Sequence, residues 1–152
     1  MAITLVQPTA GKLVMNHECE LYIKKDTQYI GIANVTKHSD TNTPNVIEWK
    51  AQENHGAKSH LIAGNDEQIA IEGKRTIGDA GNDELCKLYR AKGMAANRDF
   101  AYLDAEGRVM LFNATVSITN IGASDGDMDE VAIFSATLLI NGEPTFDTAT
   151  QP

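Results

Sequence analysis

A chain of 152 residues, 42% hydrophobic and 22% charged with only 4 prolines, has the makeup of one ordinary globular domain, which buries roughly 70% of the surface its unfolded chain exposes. Its 13 basic and 21 acidic residues leave a formal charge of -8, which argues against gripping a nucleic-acid backbone, since that affinity comes largely from Lys and Arg neutralising phosphates. The start has no basic n-region and nothing approaches the ~18 apolar residues of a membrane span, so synthesis in the cytosol and no membrane partner are expected.

Residues 1–17 read as a flexible arm. In Cys19-Glu20-Leu21-Tyr22-Ile23-Lys24, Leu21 and Ile23 alternate with polar neighbours, and Gln28 to Thr36 follows after Lys25-Asp26-Thr27, the pattern of a hairpin with a tight turn. Residues 37–45 contain no apolar side chain except proline and read as an exposed loop. Val46 to Lys50 is the next strand, residues 51–66 a second long loop, and Gln68 to Gly73 a strand with Ile69 and Ile71 on one side.

One helix is predicted over about residues 80–92. Asp79 to Asn82 can cap its start, Lys87, Arg90 and Lys92 suit its negative end, and Gly93 supplies a left-handed exit. Its stripe of Leu85, Leu88 and Tyr89 is narrow, so it covers a sheet rather than joining a bundle. Arg98 to Asp104 is a further strand. Two long period-2 runs close the chain, residues 109–121 and 129–141, joined by a connection rich in Gly and Asp. Met110, Phe112, Ala114, Val116 and Ile118 share an apolar face with Phe134, Ala136, Leu138 and Ile140, while Asn113, Thr115, Ser117 and Thr137 lie opposite. Residues 145–152 read as a flexible tail. The expected fold is mainly β, a single domain built as a β-sandwich or partly closed barrel of about seven strands with one flanking helix.

Motifs of chemistry are missing. Gly73-Lys74-Arg75-Thr76 lacks both the earlier glycine and the Ser/Thr of a phosphate loop, with Gln68 and Arg75 at those positions. Asp125, Asp127 and Asp129 alternate as in a calcium loop, yet Glu130 and Ala136 stand where glycine and the closing glutamate belong. His55 and His60 have no Cys or carboxylate cluster near them in sequence, and Cys19 and Cys86 read as small thiols rather than a disulfide framework. No cofactor, no metal and no enzymatic activity are therefore expected. Trp49 reads as a core or edge-packing residue, with a carbohydrate platform or a subunit-contact anchor as alternatives.

The order of Val46-Ile47-Glu48-Trp49, Ile71 to Asp83 with Gly73-Lys74-Arg75-Thr76-Ile77-Gly78-Asp79 at its heart, Lys92-Gly93, Phe112 to Thr119 and Leu138 to Pro144 resembles the major tail (tail tube) proteins of long-tailed bacteriophages over residues 46–146. That resemblance implies a β-sandwich or barrel subunit that forms homohexameric rings, stacked into a virion tail tube through which DNA passes without specific binding. It also implies other tail proteins as partners: tape measure, terminator and distal tail components. Under it Asn113, Thr115, Ser117 and Thr137 become candidates for the lumen face. His38, Asp40, Asn42, Trp49 and His55 become candidates for inter-subunit loop contacts. A connector or terminator ring and a carbohydrate-binding β-sandwich remain the alternatives.

Overall fold

The computed structural model describes residues 2–122 and 128–148. Asp125, Asp127 and the tail residues 149–152 lie outside the described residues. Strands β1 (Glu20–Lys25) and β2 (Gln28–Gly31) pair antiparallel with Lys25 opposite Gln28. Asp26 in the turn adopts φ 57°, the left-handed conformation that Asp tolerates and a two-residue hairpin loop requires. The second arm stops at Gly31 rather than running to Thr36, because Asn34 turns the chain with φ 59°.

The two predicted loops are the main correction. Residues 37–45 belong to β3 (Val35–Lys50) and most of 51–66 to β4 (Lys58–Lys74), which pair from Val35 opposite Gly73 to Lys50 opposite Lys58. Only residues 51–57 connect them, through a short 3-10 turn and a left-handed His55. Alternation reveals a strand only when one face is buried, and this ribbon is exposed on both faces. Backbone pairing and cross-strand contacts such as Asn42 Nδ2 donating to Asn65 Oδ1 at 3.0 Å hold it instead. Pro44 is tolerated because β3 is an edge strand.

Helix α1 (Ala80–Cys86) starts where the capping residues place it, with Asp79 Oδ2 accepting from the Asn82 N–H at 2.9 Å. It ends well before residue 92. Leu88, Tyr89 and Ala91 bond instead to carbonyls three residues back, and Gly93, with φ 62°, opens a 3-10 turn. Strands β5 (Asn97–Leu103), β6 (Arg108–Gly122) and β7 (Ile133–Thr148) complete the chain. Residues 145–148, expected in a flexible tail, are strand paired with the start of β6.

All seven strands lie in one antiparallel sheet of order β2-β1-β5-β6-β7-β4-β3, which curls without closing into a barrel. The curl brings His38 of β3 against Tyr102 of β5, ring centroids 5.7 Å apart, although three strands separate them in the sheet. The concave face carries the core. Ile23, Ile69, Phe100, Phe134 and Leu138 are fully buried there, joined by Leu85 from α1, which packs over β1 and β2. The apolar parity read for the last two strands holds, with Phe112 and Phe134 in the core and the Phe112 ring stacked on Phe100 at 5.7 Å.

Candidate assembly surfaces

The convex side of β5, β6 and β7 bears a ladder of polar side chains bonded to one another. Thr115 Oγ1 donates to Asn97 Oδ1 at 2.8 Å, and Asn113 Nδ2 donates to Asp99 Oδ1 at 2.9 Å. Asn141, which alternation also puts on this face, donates to Thr115 Oγ1 at 2.9 Å and to Asn113 Oδ1 at 3.2 Å. Lys24 ends the row with a 3.9 Å pair to Asp99. Ser117 pairs in register with Thr137, so the four residues expected to share a face do share it. The stretch formed by Asn113, Thr115, Ser117, Thr137, Leu139 and Asn141 holds no charged side chain.

The second surface is the far half of the β3–β4 hairpin. Strand β4 pairs with β7 only from Gln68 to Lys74, so the hairpin beyond these residues is a two-stranded ribbon, about 30 Å long at ~3.3 Å per residue. Register puts Ile47, Trp49 and Leu61 on one face and Val46 and Ile62 on the other, all exposed. Glu48 is held by Lys58 at 3.3 Å and His60 at 3.5 Å. An extra residue, Ala63, bulges between the Gly64 and Ile62 pairings and adds local twist.

The five residues expected to act together in loops are separated by this ribbon. His38 lies half-buried at its root, against Tyr102 and 3.2 Å from the Asn16 carbonyl oxygen. Asp40 and Asn42 face a cleft. Trp49 takes the opposite face, and His55 sits at the tip.

That cleft, of about 900 Å³, opens between the ribbon and the ends of β5, β6 and β7. Three residues, Gly142 to Pro144, bulge opposite Phe112, with Gly142 at φ 72°, and bring Glu143 and Pro144 into the wall. Met110, Ile140 and Phe146 give it an apolar floor, while Asp40, Glu67, Asp104 and Glu143 stand around it with no basic residue among the lining. Burial, and then the hydrogen-bonded Asp40 carboxyl, push the Glu67 carboxyl above its ordinary range. Arg108 caps one edge, over the Phe146 ring at 5.1 Å and 3.5 Å from Asp104. The cleft was invisible in sequence because its walls come from segments read as separate loops and tail.

No protein-family model matches the chain, and no curated protein does. Solved structures do. A chain from the tail of an empty gene transfer agent particle, refined with helical C6 symmetry, superposes with a TM-score of 0.72 at 11% identity over 88% of this chain and 98% of that one. A chain of the native gene transfer agent virion gives 0.66 at 13% identity over 88% and 98%. The tube-terminating cap of the anti-feeding prophage gives 0.61 at 16% identity over 98% and 100%. The chain thus has the fold of subunits from the tails and tube caps of phage-like particles.

Proposed function

We propose that this chain is a structural, non-catalytic virion protein that self-assembles into hexameric rings, stacked as a tail tube that guides DNA into the host. It is made in the host cytoplasm and works in the virion tail, beside tape measure, terminator and distal tail proteins. One observation carries this reading. A two-stranded ribbon alone is marginally stable in water, and this one exposes apolar side chains on both faces, with Leu61 at 57% and Ile62 at 60%. Such a ribbon needs a surface on each side, which a neighbouring copy in a ring and another in the next ring supply. The uncharged stretch of Asn113, Thr115, Ser117 and Thr137 is then the natural lining of the conduit.

Negative-stain microscopy of the purified protein over rising concentration tests this directly. Rings or tubes are expected from the wild type, and a folded monomer from Ile47→Lys/Leu61→Lys. A wild type that stays monomeric throughout overturns the reading; a double variant that assembles equally well removes the ribbon from it. Likeness to a tube-terminating cap supports a second reading, a ring that ends a tube. Rings that form but never stack would favour it.

A further inference from the structure

Asn141-Gly142 is the only Asn-Gly step in the sequence, and it sits where the fold loosens its hold on the backbone. Strand β7 is in register with β6 at Asn141 and again at Thr145, whereas Gly142, Glu143 and Pro144 have no partner on β6 or β4. The peptide between Asn141 and Gly142 thus opens the bulge, and Gly142 takes φ 72°. Both residues are exposed to water. Glycine has no Cβ to shield its nitrogen, and a backbone freed from the ladder can bring that nitrogen to the carbonyl of the preceding side chain. Every other asparagine of the chain precedes a residue with a side chain.

We propose that Asn141 is a self-modifying site, whose amide becomes a carboxylate with time and sets one negative charge per subunit on the uncharged stretch of the convex face. The Gly142 nitrogen gives its proton to water and attacks Asn141 Cγ; the Cγ–Nδ2 bond breaks, and ammonia leaves with a proton taken from water. Water then opens the succinimide. Breaking the bond from Cγ to the Gly142 nitrogen leaves aspartate in an unchanged backbone, while breaking the bond from the main-chain carbonyl carbon leaves isoaspartate, with an extra carbon in the backbone. Amide and water are consumed, carboxylate and ammonium are formed, and no oxidant enters. The ladder is what restrains the reaction. Asn141 Nδ2 is held by Thr115 Oγ1 at 2.9 Å and Asn113 Oδ1 at 3.2 Å, exposed bonds between neutral groups whose net worth in water is small. The product cannot make them, since a carboxylate only accepts. Asn113 would have to turn its amide to serve the new carboxylate, and so release Asp99 Oδ1, to which its Nδ2 donates at 2.9 Å. The chemistry stands on the subunit alone; its consequence, a conduit wall that grows more acidic in a particle that makes no new protein, rests on the assembly reading above.

Purified full-length subunit, incubated at neutral and at mildly alkaline pH well below its unfolding temperature, tests the proposal. Peptide mapping by mass spectrometry locates the mass gain of amide-to-acid exchange and separates aspartate from isoaspartate. Asn141 should convert before every other asparagine, and faster at the higher pH because the attacking nitrogen must lose its proton. Asn141→Gln, whose longer side chain closes the ring poorly, should keep its amide. Thr115→Val removes one restraint and should convert up to about tenfold faster, the factor for a lost hydrogen bond of about 1.4 kcal/mol. Far-UV circular dichroism before and after incubation establishes that each protein is folded. An Asn141 that stays intact, or converts no faster than the other asparagines, overturns the proposal whether or not rings form. Conversion that is no faster in Thr115→Val overturns the restraint by the ladder. A wild type whose Asn141 converts but which forms no rings overturns the assembly reading and leaves the site standing.

Discussion

Asn82 is the residue on which the corner of this fold turns. It is fully buried, and its Nδ2 donates to the carbonyls of Ala33 and Lys74, each at 3.1 Å. Its Oδ1 accepts from the Thr76 N–H at 3.1 Å and from Arg75 Nη1 at 2.9 Å. One amide thereby ties the β2–β3 corner, the end of β4 and the start of α1 together. Around it Asp83 takes a 2.8 Å bond from Arg75 and a 3.1 Å bond from the Gly78 N–H, which hold its carboxyl below the ordinary range. Asp79 adds a second link, accepting from the Ala33 N–H at 3.1 Å while it caps the helix. Asn82→Ala would leave two part-buried carbonyls and one N–H without this partner, at roughly 1–3 kcal/mol for each group that water does not reach. The expected loss is about 3–5 kcal/mol in urea unfolding, and a loss below about 1 kcal/mol would show that water replaces the amide.

Helix α1 shows how tightly the elements meet at that corner. A Cβ added to Gly81 would lie 2.1 Å from the Gly31 carbonyl oxygen, so the helix touches the end of β2 backbone to backbone. Gly81→Ala must push α1 off the hairpin, a cost on the order of 1–3 kcal/mol from overpacking that outweighs the gain in helix propensity. Urea unfolding should place this variant well below the wild type, whereas Gly11→Ala, with nothing within 4 Å, should match it. What the sequence made legible follows from what was buried. The Phe112 and Phe134 parity, the Asp26 turn and the Asp79 cap all rest on local chemistry and appear where expected. The helix end did not, because Leu88 and Tyr89 continue the apolar stripe in turns bonded three residues back. Apart from Val46 to Lys50, the ribbon was read as loops because a strand exposed on both faces shows no alternation, and the cleft beneath it was lost with it. The lumen candidates were legible as a face, and alternation puts Asn141 on it too, but its bonds to Asn113 and Thr115 depend on strand register, which alternation does not give.

Across the whole molecule the formal charge of -8 is spread unevenly. Carboxylates gather around the cleft, the first 17 residues have none, and on the convex face the stretch of Asn113, Thr115, Ser117, Thr137 and Asn141 carries no charge. If that ladder lines the conduit, DNA slides past uncharged side chains, several of which hydrogen-bond to each other, so a phosphate finds no cation along Asn113, Thr115, Ser117, Thr137 and Asn141. Ser117 is the right place to test this, because it is exposed while Thr115 is bonded to Asn97 and Asn141. Ser117→Lys would set one new cation per subunit on the conduit wall without breaking the ladder. Assembled Ser117→Lys tubes should retain DNA in a filter assay at roughly 50 mM salt and release it by roughly 200 mM, since phosphate contacts weaken steeply with salt. Wild-type and Ser117→Gln tubes should retain none at either concentration. If Ser117→Lys tubes form normally and still bind no DNA, the ladder faces outward, and the conduit must be lined by another part of the curled sheet.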